Sequence, residues 1–404
     1  MIEVILVVGI AVALFVGYNI GGATTGVSFG PAVGANVLSK VGAAVLMSVF
    51  FFLGGWLIGP AVVRTLGDEL VPPEFMTLEA GIGVLFFIGL ALFLGNAFGV
   101  PASTSMTAVG SIAGLGFATD SLNWAKIGEI VGWWIVAPVI AFWVSAVIGR
   151  YGYARINRWV AIQRRTASIW VVDRTASLPR VSTADDIDRR ELTGSLVVIA
   201  IGCYMAFSSG ASNVANAVAP LVGSGALDYE VTVGLFGSFG AMEWGVIIAG
   251  LAVMIGAFTI ARRTLETMAN DITRLPLTAA VGVMTVSATI VTLLSAMGIP
   301  VQLVIVATMS IIGLGWGRAT RTTRMSDAVR HGEHPTVSSG ALTVDTEGDS
   351  LPAIGEEDPA EIPRASELFD PSTTGRVIFV QNFVPVIATV GSYLTFRYVP
   401  IFGF

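Results

Sequence analysis

Apolar residues run along this chain in long unbroken blocks, and polar residues collect between the blocks instead of alternating with them. Such blocks predict membrane-spanning helices, because a bilayer core takes about 20 apolar residues of helix and strands would show a period of two. The first half predicts spans at Met1–Gly17, Val41–Val63, Ala80–Phe98, Thr107–Ala118 and Ile127–Ile148. The second half predicts them at Gly194–Phe207, Val231–Ile260, Thr278–Met297, Val301–Trp316 and Val377–Tyr398. Polar segments lie between them at Arg64–Leu78, Asp120–Lys126, Arg150–Glu191, Ala261–Leu275 and Gly317–Arg376. The last carries Asp345, Glu347, Asp349, Glu356, Glu357, Asp358 and Glu361 among Pro, Gly and Ser. That mixture cannot bury a core and is expected to be disordered.

Small and polar residues interrupt the blocks where lipid would prefer Leu and Val. The most marked interruption is Phe207–Pro220, which holds Asn213 and Asn216 on one helical face. Tyr18–Pro31 has the same placement, with Pro31 standing where Pro220 stands in the second half. Gly99–Met106 adds three successive hydroxyls, Ser103, Thr104 and Ser105, and Pro300 interrupts the second half at the matching place. Backbone polar groups that leave a helix at membrane depth must face protein or a wet cavity. Phe207–Pro220 is therefore read as a broken helix and re-entrant hairpin lining a site. A half-helix N-terminus there would offer free N–H groups and a positive dipole end to an anion. The competing reading is that Gly, Ala and Ser only let helices pack closely.

Composition places the chain firmly in the membrane. Of 404 residues, 54% are hydrophobic and 12% charged, against about 25% charged in a soluble domain. Mean hydropathy is +0.78. The 47 Gly exceed the usual share of about 7% and fit close packing and helix breaks. With Glu3 where a basic start would be, no cleavable signal is expected. Cys203 stands alone, so no internal disulfide or cysteine metal site is possible. His331 and His334 fall in a polar loop, and no nucleophile–base set appears, which argues against an enzyme.

Charge orients the spans. The Arg-rich linker Arg150–Glu191 and the basic segments Ala261–Leu275 and Arg318–Arg330 are expected in the cytoplasm. Topology accounts for these arginines without nucleic acid as a partner. Five spans before the linker then put both termini outside, with acidic Arg64–Leu78 outside as well. An odd number of spans per half makes the halves antiparallel. The expected fold class is an all-α polytopic membrane protein of two inverted-topology repeats, their broken helices or re-entrant hairpins meeting near the midplane. The repeats are residues 1–149 and 192–316, the latter completed by a final helix in 376–404. The linker 150–191 and the acidic loop 317–375 lie outside the bilayer on the cytoplasmic side.

The chain resembles the inorganic phosphate transporter family of cation-coupled phosphate symporters, which also includes sulfate permeases. The resemblance covers nearly the whole chain, both repeats in order. Its signature, G-A-N-D-V-A-N-A, is matched by Gly210-Ala211-Ser212-Asn213-Val214-Ala215-Asn216-Ala217. A second element, P-V-S-T-T-H, is matched by Pro101-Ala102-Ser103-Thr104-Ser105-Met106. Arg263–Thr267 and Asp271–Thr273 are similar to its Glu and Ile-Thr elements. The copies in the other halves are eroded: Gly21–Ser28 keeps the place but not the Asn and Asp, and Pro300–Ile305 loses the Ser-Thr-Thr. Both signature aspartates, which the resemblance makes cation ligands, are replaced, by Thr24 and Asn213.

The resemblance implies a secondary active transporter moving phosphate by alternating access, with a co-transported sodium ion or proton and no other cofactor. Sulfate is the alternative anion, and a transport-inactive sensor or partner protein the alternative of another class. A homodimer is left open. Candidate anion contacts are Ser103, Thr104, Ser105, Ser209, Gly210, Ser212, Asn213 and Asn216, with Thr24, Thr25 and Ser28 from the eroded repeat. Candidate cation-coupling residues are Asn19, Asn213, Asn216 and Glu243. Glu243 would lie about 20 Å along the Val231–Ile260 span at 1.5 Å per residue, or near the interface if that span starts later. Asn213 and Thr104, the surviving motif of each half, are expected side by side at one composite cavity.

Overall fold

In the computed structural model the described residues are 2–97, 102–160, 170–173, 180–183, 189–228, 230–232, 238–261, 276–322 and 371–399. The first half holds α1 (Ile2–Gly34), α2 (Lys40–Leu57), α3 (Gly59–Arg64), α4 (Leu78–Ala97), α5 (Thr104–Ala118), α6 (Trp124–Val147) and α7 (Tyr153–Val160). The second holds α8 (Arg189–Gly223), α9 (Ala241–Thr259), α10 (Leu277–Ala296), α11 (Leu303–Ala319) and α12 (Pro371–Tyr398). Among the described residues, 7 helices are long and apolar enough to cross a membrane. Two short antiparallel ribbons supplement the helices. β1 (Trp170–Asp173) pairs with β2 (Arg180–Thr183), and β3 (Val231–Thr232) with β4 (Ser238–Phe239).

Two of the expected interruptions, Tyr18–Pro31 and Phe207–Pro220, are not breaks, whereas those expected at Gly99–Met106 and Pro300 stand. α1 runs unbroken through Tyr18–Pro31 and α8 through Phe207–Pro220, with Pro31 and Pro220 close to their C-terminal ends. The physical reason is local. Thr24 and Thr25 donate to the carbonyls of Ile20 and Gly21 at 2.8 and 2.7 Å, and Asn213 Nδ2 donates to Ser209 O at 2.9 Å. These side chains find partners one turn back on their own helices, and Ser208 and Ser212 find theirs at Ala288 O and Val301 O, so no break is needed to satisfy them. The small residues serve close packing: a Cβ at Gly210 would stand 1.9 Å from the Phe51 carbonyl oxygen of α2.

The true interruptions precede α5 and α11. These have 15 and 17 residues, about 22 and 25 Å of helix at 1.5 Å per residue, short of a bilayer core of about 30 Å. α10 stops at Gly298, whose φ of +80° suits glycine at a helix end. The irregular stretch that follows has its polar backbone met by side chains. Trp134 Nε1 donates to Pro300 O at 2.8 Å. Ser105 Oγ and Ser212 Oγ donate to Val301 O at 2.9 and 3.3 Å, and Val301 N–H donates to Ser212 Oγ at 3.2 Å. Non-helical backbone at membrane depth survives only where protein meets it in this way.

Helices of the two halves pair by exchange. α1 lies along α9, α2 along α8, α5 along α12 and α6 along α11. The contacts advance in the same direction on both members of each pair. Gly17 abuts Ala249 and Ala252, then Gly21 abuts Val253 and Ala257; Phe51 abuts Gly210, then Gly55 abuts Val214. Gly110 abuts Pro385 and Gly114 abuts Ser392; Phe142 meets Gly313 and Ala146 meets Gly317. All four pairs are therefore parallel.

Segments read as polar loops carry more structure than their composition suggests. After α3, residues Thr65–Glu69 form a π-helical turn, and Leu66, Leu70, Val71 and Met76 are fully buried in the core. Arg150–Glu191 does not begin as a linker: α6 runs through a second π turn (Ile148–Gly152) into α7, where Tyr153 and Asn157 are buried. Thr278 donates to Asn157 Oδ1 at 2.8 Å. Arg318 is a buried residue of α11, its guanidinium 5.5 Å from the Tyr153 ring, and not part of a loop. The predicted Val231–Ile260 span is shortened, since Val231–Thr232 and Ser238–Phe239 pair as β3 and β4 and α9 begins at Ala241. Arg263–Thr273, His331, His334 and the acidic run Asp345–Glu361 lie outside the described residues.

Candidate functional site

Two helix N-termini, one from each half, open onto the same small cavity. α5 starts at Thr104 behind Ser103, whose Oγ turns back to accept the Met106 N–H. α11 starts at Leu303 behind Gln302, which makes no capping bond. The cavity is lined by Ala23, Thr24 and Val27 of α1, by Ala102, Ser103 and Thr104, by Asn213 of α8, and by Gln302, Leu303 and Val304. Its volume is about 20 Å³ for the centre of a water-sized sphere, roughly one water's worth of space. None of these lining residues is ionisable.

One contact ties the halves together here. Thr104 Oγ1 donates to Asn213 Oδ1, so the surviving hydroxyl motif of the first half touches the surviving amide motif of the second. Asn213 Oδ1 also accepts from Asn216 Nδ2 at 3.1 Å, and Asn216 Nδ2 approaches Ser105 Oγ at 3.4 Å. Asn213 Nδ2 is held by the carbonyl and hydroxyl of Ser209 at 2.9 and 3.2 Å. Asn213 and Asn216 are almost wholly buried, and Asn216 Oδ1 has no hydrogen-bond partner among the described residues.

The candidate residues therefore sort by position. Thr24, Ser103, Thr104 and Asn213 line the cavity. Ser105 and Ser212 stand behind it, clasping Val301 and so holding the start of α11. Ser209 and Asn216 orient Asn213 from its own helix, and Gly210 packs against α2. In α1, Thr25 is satisfied by Gly21 O, while the buried Ser28 Oγ has no partner among the described residues. Asn19 is fully buried and accepts two bonds from Asn96 Nδ2, both at 3.0 Å. Glu243 is not deep in a span. It sits in the first turn of α9, where its carboxylate accepts the Gly240 N–H at 2.9 Å and caps the helix.

Sequence reasoning passed over two side chains. Asn96 sits at the end of an apolar block, and an amide there was the available signal. Gln302 follows Pro300 at the spacing at which Ser103 follows Pro101, and it precedes α11 as Ser103 precedes α5.

A second cavity does carry charged groups. It is polar, has a volume of about 320 Å³ and is lined by Arg64, Thr65, Glu69 and Lys126 against the end of α10. Lys126 pairs with Glu69 and Glu129, both at 2.9 Å. Beside it, burial and then the neighbouring Glu69 push the Asp68 carboxyl above its usual range, with Arg64 opposing.

Comparison with known proteins matches this arrangement to one group. The sequence profile described as the phosphate transporter family matches residues 20–334. The sulfate permease CysP of Bacillus subtilis (strain 168) is 30% identical over 307 residues, covering 76% of this chain and 76% of that protein. A protein of Thermococcus kodakarensis named as a phosphate permease, TK2061, is 25% identical over 367 residues, covering 78% and 89%. A solved structure titled the sodium-dependent phosphate transporter shares the fold with a TM-score of 0.65 at 18% identity, covering 97% of this chain and 98% of its own.

Proposed function

The chain belongs to the phosphate transporter family, and from that premise we propose that it is a secondary active carrier of phosphate, coupled to a sodium ion or a proton. The observation that carries the reading is the Thr104–Asn213 bond at a cavity faced by two helix N-termini. An oxyanion held there would take N–H groups from the start of α5 and from the uncapped start of α11. It would also take hydroxyls from Thr24 and Thr104 and the amide of Asn213.

Magnitudes argue for a co-transported cation. Taking an ion out of water costs several kcal/mol even after relaxation. A helix end returns about 0.3–1 kcal/mol, and at most ~2 in a favourable partly buried place. Two helix ends thus offset only part of the cost of an anion, and no lining residue is cationic. A bound cation supplies the remainder, and neutral oxygens can hold it. Asn216 Oδ1, Asn96 Oδ1, Ser28 Oγ and Gln302 Oε1, buried and without partners among the described residues, are among the oxygens available. In this reading Glu243 serves as the cap of α9 and leaves coupling to those oxygens.

Alternating access follows from the halves being inverted repeats. The parallel pairing of α1 with α9 and of α2 with α8 supports that reading. The short link Ala35–Ser39 cannot carry the chain back across a bilayer, so α1 and α2 run oppositely, and α1 and α8 do too. Both termini then lie outside, and the Arg-rich linker and the acidic loop lie in the cytoplasm. Sulfate is the second reading, favoured by the sulfate permease relative and by a cavity lining without carboxylates. The test is uptake of labelled phosphate and labelled sulfate into proteoliposomes, with sodium and proton gradients imposed separately. Gradient-driven phosphate accumulation is expected. Intact liposomes that take up neither anion under either gradient would end the carrier reading in favour of an inactive sensor or partner protein.

A further inference from the structure

Gln302 is the side chain at the cavity whose chemistry the family motif does not account for. It is 6% exposed and lines the cavity, and its Oε1 has no hydrogen-bond partner among the described residues. Its counterpart Ser103 spends its hydroxyl on capping α5, whereas Gln302 makes no cap bond to α11. The position is fixed by its neighbours. Val301, one residue before, is clasped by Ser105 and Ser212, and Pro300 is held by Trp134. Burying an amide without a partner is unfavourable, so a native site keeps one where something else will pair with it. A buried, unspent carboxamide at a cavity beside an uncapped helix start is placed to meet a ligand.

We propose that Gln302 determines which tetrahedral anions the cavity accepts, and that it admits sulfate as well as phosphate. The inference rests on the oxyanion-carrier reading above. Near neutral pH phosphate keeps at least one proton, and sulfate keeps none. A site that demands a substrate proton needs a fixed acceptor such as a carboxylate facing the anion. None of the residues around this cavity is ionisable. A carboxamide turned one way donates N–H to a bare oxygen, and turned the other way accepts an O–H. Hydroxyls of Thr24 and Thr104 have the same freedom. The lining thus reads tetrahedral shape and negative charge, not protonation.

The decisive variant is Gln302→Glu, nearly the same size but acceptor-only when ionised. In proteoliposomes holding the full chain, labelled phosphate uptake is measured against unlabelled sulfate, and labelled sulfate uptake is measured directly. The unmodified chain is expected to carry both, each inhibiting the other. Gln302→Glu should weaken sulfate binding by about 10²-fold or more beyond any loss for phosphate, since a buried polar group left unpaired, or facing a like charge with no proton to share, discriminates strongly. The weakening should be fullest at alkaline pH and fade as the pH falls and the new carboxylate takes a proton. Gln302→Leu should weaken both anions alike, by about tenfold, the value of one hydrogen bond to a charged group. Calorimetric binding of each anion to monodisperse protein in detergent gives the same comparison for a variant that binds without turnover.

Phosphate carriage by the unmodified chain with no response to sulfate would overturn this inference and leave the carrier reading intact. So would a sulfate loss no greater than the phosphate loss in folded Gln302→Glu, or unchanged affinity for both anions in Gln302→Leu. Failure of the unmodified chain to carry or bind either anion removes the carrier reading and this inference with it.

Discussion

Asn213 shows how one residue can serve two ends. Its amide is held from behind by Ser209 and Asn216, so the oxygen that meets Thr104 has little freedom to turn away. Thr104→Val keeps the shape of the side chain and removes its hydroxyl. Phosphate uptake should fall at least tenfold, while the melting temperature in detergent drops only slightly, because Asn213 Oδ1 keeps its bond from Asn216. A loss of about 1 kcal/mol is expected for a hydrogen bond whose acceptor retains a second partner. A variant with full uptake would remove Thr104 from the anion's path. Asp68 offers a separate, pH-based check. Its folded-state pKa is raised, by burial first and Glu69 second, so ionising it disfavours the folded state. That penalty is absent below the carboxylate's unfolded-state pKa and complete above its raised folded one. Asp68→Asn should therefore raise thermal stability at neutral and alkaline pH, with the gain vanishing in acid; a gain that grew toward acid would contradict the sign.

Helices in this protein are joined by close approach of backbones, and glycine decides where that happens. A Cβ at Gly317 would stand 1.9 Å from Ala146 O, and one at Gly210 equally close to Phe51 O, whereas nothing lies within 4 Å of a Cβ at Gly128. Gly210→Ala must push α8 from α2, and with it the helix that carries Asn213 and Asn216. Overpacking of this kind costs about 1–3 kcal/mol, occasionally more. Gly128→Ala meets open space and should gain up to ~1 kcal/mol of helix propensity. Thermal unfolding of the two purified variants beside the parent chain checks the contrast; equal melting points would refute the packing argument. The same logic explains why the polar stretches of α1 and α8 were misread as breaks. Gly, Ala, Ser and Asn signal both a helix interruption and a close helix interface, and only knowledge of the neighbouring helix separates the two.

For the molecule as a whole, the exchanged pairs α1–α9, α2–α8, α5–α12 and α6–α11 mean that neither half can move without its partner's helices. In the proposed alternating cycle the cavity opens to one side and then the other. Cys203 is the sole cysteine of the chain, so a Cys203→Ser background makes a clean reporter. Thr24→Cys in that background should react with a membrane-impermeant thiol reagent applied to either face, and phosphate should slow both reactions. Labelling from one face only, with or without phosphate, would argue for a site that never changes sides.

The chain by itself determined that the protein lives in a bilayer, and that motifs of unlike kind remain in its first and second halves. Those follow from apolar block length and residue type, which are properties of the string. The meeting of Thr104 with Asn213 was anticipated from the complementary decay of the two motifs, yet the geometry that achieves it was not. The interruptions before α5 and α11 were legible at Gly99–Met106 and Pro300. Tertiary structure alone decided that α1 and α8 stay continuous, because their polar side chains bond one turn back or to distant backbone and their small residues face a helix distant in sequence. It also decided that Ser105 and Ser212 clasp Val301, that Glu243 caps α9, and that Gln302 turns to the cavity. Each of these depends on which distant atoms satisfy a buried polar group, a question that burial in a low-dielectric interior makes energetically decisive and that residue order alone leaves open.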